Sequence, residues 1–213
     1  MQRLSLAESL SLLAGLGTML AFTAVNAFGV PKPSYRAYQL LHRLGDAQLR
    51  VQRTSAPAPQ DETATGLGPD ELCAITTGVI ATTNRSSTGS TRLLLYNHRE
   101  WDAPQLGHPS PSVTCEITLT FSSNSGSDLP HSATTRTIDA AEANPRAKWI
   151  ELGMPGYPSP DEHTQILAAS ELVPRTVPLQ QQPTRDDTVR REATLTLTVG
   201  KHAVIAVDID VNV

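Results

Sequence analysis

Apolar and polar residues alternate along much of the chain after residue 45, with the period of a β-strand that buries one face. The clearest case is 113–122, where five apolar side chains share one face and mostly threonines occupy the other. Further strands are predicted at 47–54, 72–83, 91–97, 134–138, 193–199 and 203–211, where 72–83 is a β-prone run and 91–97 carries the buried-strand run RLLLY. The last two are separated by Gly200-Lys201-His202, which predicts a hairpin. Short strands at this spacing predict a mainly β chain folded as an antiparallel β-sandwich.

One helix is predicted before the strands, at 34–44. Tyr35 and Tyr38 recur with two leucines at helical spacing. Pro33 before the helix and Gly45 after it are typical boundary residues. The segment is therefore a short amphipathic helix, and both tyrosines are expected to pack in a core.

Two short helices are predicted between the strands. Asn144 can cap a helix that has Pro145 at its first position and Gly153 as its stop. Ser159 lies three residues before Glu162, which is the spacing of a capping box ahead of an apolar helical run. Both signals are local, so they predict where the helices begin better than where they end.

Two segments carry a family resemblance. Residues 26–45 read NAFGVPKPSYRAYQLLHRLG and resemble the last barrel helix of glycoside hydrolase family 39, the β-xylosidase and α-L-iduronidase group. Residues 138–174 combine Asn-Pro, a helix with a central tryptophan and a terminal Ala-Ser-Glu-Leu-Val-Pro, and are similar to a helical insertion in the accessory β-sandwich of that family. The resemblance implies a terminal barrel-type helix at 28–45 and an accessory β-sandwich at 46–213, and an apolar leader at 1–27 precedes them.

The resemblance also implies two catalytic glutamates on barrel strands, of which the acid/base follows Asn and precedes Pro. The chain contains no Asn-Glu-Pro, and a complete barrel typically needs ~250 residues. Its glutamates, none of which matches either motif, are Glu8, Glu62, Glu71, Glu100, Glu116, Glu142, Glu151, Glu162, Glu171 and Glu192. We therefore assign no catalytic residue.

The expected function is the C-terminal portion of a β-xylosidase-like hydrolase of carbohydrate metabolism, inactive by itself. The assignment to the glycoside hydrolases follows from the family resemblance alone. The chain is expected to pack against a catalytic barrel, which is missing here, or against another chain. The alternative is a secreted, non-catalytic β-sandwich that binds polysaccharide or a partner protein.

Residues 1–27 permit two interpretations. A weakly basic start, an apolar run and the small residues around Ala27 are typical of a cleaved secretory signal. Cleavage after Ala27 would fall inside the first resembling segment, so the same residues can instead be a barrel remnant. The apolar run is shorter than the about 20 residues that span a membrane, so no stable membrane span is expected.

Two features bear on localisation. Cys73 and Cys115 fall on predicted strands; they could form a disulfide if the chain is secreted, whereas in a reducing compartment they would be buried thiols. Asn84-Arg85-Ser86 is a sequon for N-glycosylation in a predicted turn. Both features fit an extracellular chain.

Charge and the remaining motifs exclude several classes of function. Lys and Arg number 17 against 21 Asp and Glu, for a net charge of −4, and no basic stripe occurs, so nucleic-acid binding is not expected. No phosphate-binding or dinucleotide glycine pattern occurs, and the His98–His108 loop lacks regular ligand spacing, so neither a cofactor nor a metal is expected. Trp101 in that loop could stack on a sugar; the competing expectation is packing against a barrel.

Overall fold

The chain divides into two compact units in a computed structural model. The structure describes residues 25–52, 73, 77–84, 90–98, 115–123, 130–182 and 191–210. Unit 1 comprises Met1–Gln39 and Ala140–Leu172, and unit 2 comprises Leu40–Asp139 and Val173–Val213. The inserted helical segment therefore groups with the N-terminal residues, and each unit is described by itself.

Unit 2 consists of two antiparallel sheets. Its strands are β1 (Ala47–Gln48), β2 (Thr77–Thr83), β3 (Ser90–Asn97), β4 (Cys115–Ser123), β5 (Ser132–Ile138), β6 (Arg175–Pro178), β7 (Gln180–Gln182), β8 (Arg191–Val199) and β9 (Val204–Asp210). One sheet has the order β1-β2-β3-β9-β5-β6, and the other has the order β4-β8-β7. The predicted mainly β, antiparallel fold is confirmed.

Both sheets contribute to one apolar core, as expected of a sandwich. Leu95 and Val207 of the larger sheet and Ala193 and Val199 of the smaller one are completely buried in the same cluster. Burial of a valine or leucine side chain contributes about 1.5–3 kcal/mol. The apolar residues of the alternating pattern are therefore the ones that form the core.

The predicted hairpin between the last two strands is wrong. β8 pairs with β4 and β7, whereas β9 lies between β3 and β5. The chain turns between them at His202, which has a φ of 56°, and the N–H of Ala203 donates to the carbonyl of Gly200 over 3.1 Å. Two consecutive strands bury the same apolar faces whether they pair in one sheet or lie in two facing sheets. The alternation of apolar and polar residues therefore does not distinguish the two arrangements.

Two edge strands escaped prediction, and a third is shorter than expected. β6 ends in Pro178 and β7 is the polar run Gln180–Gln182. β1 is confined to Ala47–Gln48, inside the predicted range 47–54. Edge strands pair on one side only and tolerate proline, so they carry weak sequence signals.

Three helices are described. They are α1 (Pro33–His42), α2 (Pro145–Glu151) and α3 (Pro160–Ala168). Asn144 caps α2, and Ser159 with Glu162 forms the predicted capping box at α3. The tyrosine expectation for α1 is wrong for Tyr35, which is 36% exposed, because Arg36 and Leu40 occupy the buried side.

The end of the α1 segment is fixed to the larger sheet within unit 2. Arg43 Nη2 and Arg136 Nη1 each donate to Asp208 Oδ2, over 2.7 and 2.6 Å, and Arg92 donates to the carbonyl of Arg43. Asp208 lies between the inward-facing Val207 and Ile209, so it points to the other face of the sheet. One carboxylate therefore pairs with two arginines there.

Gly45 permits a close backbone approach to β2. Its N–H donates to Thr82 Oγ1 over 2.8 Å, and a Cβ at this position would lie 2.3 Å from the carbonyl oxygen of Thr83. No real side chain fits there without moving backbone. Glycine, predicted as a helix stop, is thus required for packing.

We expect Gly45→Ala to destabilise the protein by about 1–3 kcal/mol, because the added methyl group must push backbone apart. Urea unfolding monitored by circular dichroism measures the change. Gly200→Ala is the matched control, since a Cβ at Gly200 meets nothing within 4 Å. Equal midpoints for the two variants would show that the close approach is absent.

Candidate functional site

A cleft of about 630 Å³ lies in unit 1, between the residues that precede α1 and the two inserted helices. Its lining comes from segments more than a hundred positions apart in the sequence. The lining residues are Asn26, Ala27, Phe28, Val30, Lys32, Pro33, Ser34, Asn144, Pro145, Arg146, Trp149, Pro155, Gly156, Pro158, His163 and Ile166. The surface they form is mainly apolar and rich in proline.

A tight turn forms the first wall of the cleft. Asn26 Oδ1 accepts hydrogen bonds from the N–H groups of Phe28 (3.0 Å) and Val30 (2.9 Å), and the Asn26 N–H donates to the Val30 carbonyl. Gly29 has a φ of 79°, which a glycine adopts without strain. The turn leaves the Phe28 ring 44% exposed and buries Val30.

Helix α2 and the turn after it form the second wall. Asn144 Oδ1 accepts from the Ala147 N–H, and Asn144 Nδ2 donates to the Ala140 carbonyl over 2.8 Å. Trp149 Nε1 donates to the Pro155 carbonyl over 3.1 Å, which folds the chain after the helix back onto the indole ring. The hydrogen bond fixes the ring orientation and leaves its apolar area available to the cleft.

Exposed aromatic rings stand beside the cleft. Tyr157 is 91% exposed, and its ring meets that of Phe28 edge to face with centroids 6.5 Å apart. His163 Nε2 donates to the Phe28 carbonyl over 2.9 Å, which joins the first wall to α3. Such exposed apolar side chains in one place indicate a contact surface.

A buried arginine holds α1 to the end of α3. Arg36 is 7% exposed; its Nε donates to the Ser170 carbonyl over 2.7 Å and its Nη2 to Glu171 Oε1 over 2.6 Å. Further bonds run to Ser170 Oγ and to Gln39 Oε1. All these groups belong to unit 1, and together they occupy most donors of the guanidinium.

The capping box of α3 changes the acidity of Glu162. Hydrogen bonds from the backbone N–H and the hydroxyl of Ser159, over 2.7 and 2.8 Å, lower the pKa of Glu162 below its ordinary value. These bonds favour the ionised carboxylate. They fix the start of α3, one turn before His163.

Three glutamates that the structure describes in unit 1 serve its helices. Glu162 completes the capping box, Glu151 pairs with Lys148, and Glu171 pairs with Arg36. Each of these carboxylates therefore has a structural partner.

The structure joins Cys73 and Cys115. Their sulfur atoms are 2.12 Å apart and their Cα atoms 5.6 Å apart, with 42 positions between them in sequence. Cys115 begins β4 and is buried, and Asn97 Nδ2 donates to its sulfur over 3.5 Å. The bridge ties the chain before β2 in one sheet to β4 in the other.

The structure describes only some of the other predicted site residues. Trp101 lies outside the described residues, as do most members of the His98–His108 loop. Asn84 is half-buried just after β2, and its glycosylation stays a prediction. Among the described residues no three metal-ligating side chains cluster, and no helix has the length and apolarity to cross a membrane.

The cleft and the buried Arg36 are the features that sequence reasoning missed. Only some residues of the cleft, such as Asn144 and Pro145, carry a local sequence signal, and the convergence of the lining depends on contacts between distant segments. Arg36 looked like a polar-face residue because it is charged. Its spacing of four from the buried Leu40 was the one available signal.

The chain belongs to glycoside hydrolase family 39. The sequence profile described as "Glycosyl hydrolases family 39" matches residues 13–184. A β-xylosidase from Caldicellulosiruptor saccharolyticus is 27% identical over 188 residues, which are 88% of this chain and 31% of that enzyme. The chain thus spans about a third of that relative, matching its C-terminal part.

Solved structures show the same fold. The family 39 enzyme from Xanthomonas axonopodis pv. citri matches with a TM-score of 0.54 at 15% identity, covering 87% of this chain and 31% of that one. A monomeric β-xylosidase from Caulobacter crescentus gives 0.51 at 15% identity, covering 87% and 32%. A bacterial orthologue of human α-L-iduronidase gives 0.53 at 15% identity, covering 86% and 28%.

We expect Glu162→Gln to lower the melting temperature near neutral pH and to have little effect in acid. The folded pKa of Glu162 is depressed, so its stabilising effect is present above the unfolded pKa and is lost as the pH falls through the folded pKa. Thermal melts of both proteins between pH 2 and 7 measure this difference. Ser159→Ala is a companion variant that should bring the pKa of Glu162, followed by NMR, back toward its ordinary value. A melting difference independent of pH would contradict the role of this carboxylate.

Proposed function

We propose that this chain is the non-catalytic C-terminal part of a β-xylosidase-like glycoside hydrolase and does not hydrolyse glycosides by itself. The observation that carries the proposal is the match to the C-terminal third of a β-xylosidase. Retaining glycoside hydrolysis needs two carboxyl groups ~5 Å apart across the scissile bond. The family resemblance assigns those groups to barrel strands, and no glutamate of this chain matches either motif.

Three of the described glutamates support this proposal through their bonding. Glu151 and Glu171 are paired with cations, and Glu162 caps a helix in its ionised form. A catalytic acid needs the opposite environment, one that keeps the proton on the carboxyl near neutral pH. The role that fits this chain is to support a catalytic domain.

We expect the purified 213-residue chain to release no 4-nitrophenol from 4-nitrophenyl β-D-xyloside above the uncatalysed rate. The same result is expected with 4-methylumbelliferyl α-L-iduronide. The Caldicellulosiruptor saccharolyticus β-xylosidase, assayed in parallel on the xyloside, is the positive control. Turnover that co-purifies with the chain through two chromatographic steps would overturn the proposal.

A second candidate function is polysaccharide binding by a secreted sandwich without catalysis. The exposed Tyr157 and Phe28 rings favour it, because sugar faces stack on aromatic side chains. Saturable binding to xylan that is lost in Trp101→Ala or Tyr157→Ala would establish it. Leu49→Ala, which removes an exposed apolar side chain in unit 2, is the control.

Secretion is the localisation we propose. The leader pattern of residues 1–27 and the pairing of Cys73 with Cys115 support it, because disulfides persist in oxidising compartments. By the entropy of closing its loop, the bridge contributes about 2–4 kcal/mol.

Chain exported to the bacterial periplasm should therefore contain no free thiol by Ellman's reagent. Replacing both Cys73 and Cys115 by Ser should lower its free energy of unfolding by about 2–4 kcal/mol. Chain retained in a reducing cytosol provides the comparison for the thiol count. Two free thiols in the exported protein would show that the bridge does not form and would remove its support for secretion.

A further inference from the structure

The cleft of unit 1 carries positive charge although the whole chain is acidic. Its lining residues include Lys32 and Arg146 but neither Asp nor Glu, in a chain whose net charge is −4. Both cations lie beside apolar surface that includes Trp149. The local charge of the cleft is therefore opposite to that of the chain.

These two cations differ from others near them. Arg36 pairs with Glu171, and Lys148 pairs with Glu151. Within the described part of the chain, neither Lys32 nor Arg146 has a carboxylate partner. Covering the cleft with another surface would remove water from both charges, which costs free energy unless the arriving surface supplies anions.

Three polar side chains of the cleft are already bonded within unit 1. The Asn26 side chain is bonded to the turn, the Asn144 side chain caps α2, and His163 donates to the Phe28 carbonyl. A sugar site needs several free hydrogen-bonding groups directed at one ligand. Aromatic side chains with flanking cations are instead typical of protein contact surfaces.

We propose that this cleft binds an acidic, apolar polypeptide segment from the part of a family 39 hydrolase outside the matched third. An aromatic or aliphatic side chain of that segment packs on Trp149 and Phe28, and its carboxylates pair with Lys32 and Arg146. This inference rests on the proposed function. Charge complementarity selects the segment, and the apolar area supplies most of its affinity.

The probe is a set of overlapping 15-residue peptides covering the unmatched part of the Caldicellulosiruptor saccharolyticus β-xylosidase. Trp101→Phe leaves Trp149 as the single tryptophan, so its fluorescence reports occupancy of the cleft. We expect binding by peptides in which Asp or Glu adjoins Leu, Phe or Tyr. Changing those carboxylates to amides should weaken binding roughly 5-fold, the combined effect of two exposed ion pairs.

Charge reversal gives the sharper comparison. In the Trp101→Phe background, Lys32→Glu with Arg146→Glu should abolish binding of the acidic peptides and create binding of the same peptides with Lys at the acidic positions. Arg50→Glu, an exposed substitution in unit 2, is the matched control and should change nothing. If the double reversal does not fold, Lys32→Gln with Arg146→Gln should reproduce the loss of affinity.

Three outcomes would overturn the inference: no peptide binds, the amide forms bind as tightly as the acidic forms, or xylo-oligosaccharides displace the peptides from Trp149. None of them bears on whether the chain turns over xylosides. Conversely, hydrolysis by the chain alone would remove the proposed function without changing which peptides occupy the cleft. The two failures are therefore distinguishable.

Discussion

The guanidinium of Arg36 is the interaction on which unit 1 depends. It is 7% exposed and bonded to Ser170 and Glu171, which lie more than 130 positions away in sequence. A buried cation without partners costs several kcal/mol, so the start of α1 and the end of α3 are stable only when they are together. The same contact holds residues 26–34 and 144–166 close enough to enclose a cleft. The candidate site is thus a consequence of a polar interaction in an otherwise apolar region.

Carboxylate pairing separates two groups of cations in the described chain. In unit 2, Asp208 accepts from Arg43 and Arg136 at once, which fixes the outer face of the larger sheet. In unit 1, Arg36 and Lys148 are likewise paired, while Lys32 and Arg146 border apolar surface with no carboxylate of the described chain beside them. Arg36, Arg43, Arg136 and Lys148 are the described cations with a carboxylate pair, and Lys32 and Arg146 are the cleft cations at which our proposal places an outside anion.

The sequence predicted what depends on local chemistry. Alternation located the central strands, and the caps at Asn144 and Ser159 located two helices, because each signal acts within a few residues. The sequence could not predict that β8 and β9 belong to different sheets, because each strand buries the same apolar face in a hairpin as in two facing sheets. Arg36 and the cleft could not be predicted either. They require knowing that 26–39 meets 140–172, and no periodicity within either segment encodes that contact.

The family resemblance lies in segments where particular residue types are required. A strand of the core needs only alternation, so many sequences satisfy it. The cleft needs a proline at the start of α2, a capping asparagine before it, an indole that reaches the Pro155 carbonyl, and a glycine with positive φ before Val30. The two segments that carry the resemblance are the two that build these walls. For this chain the family resemblance therefore includes the two segments that enclose the cleft, whereas hydrolysis requires a pair of carboxyl groups placed across a sugar.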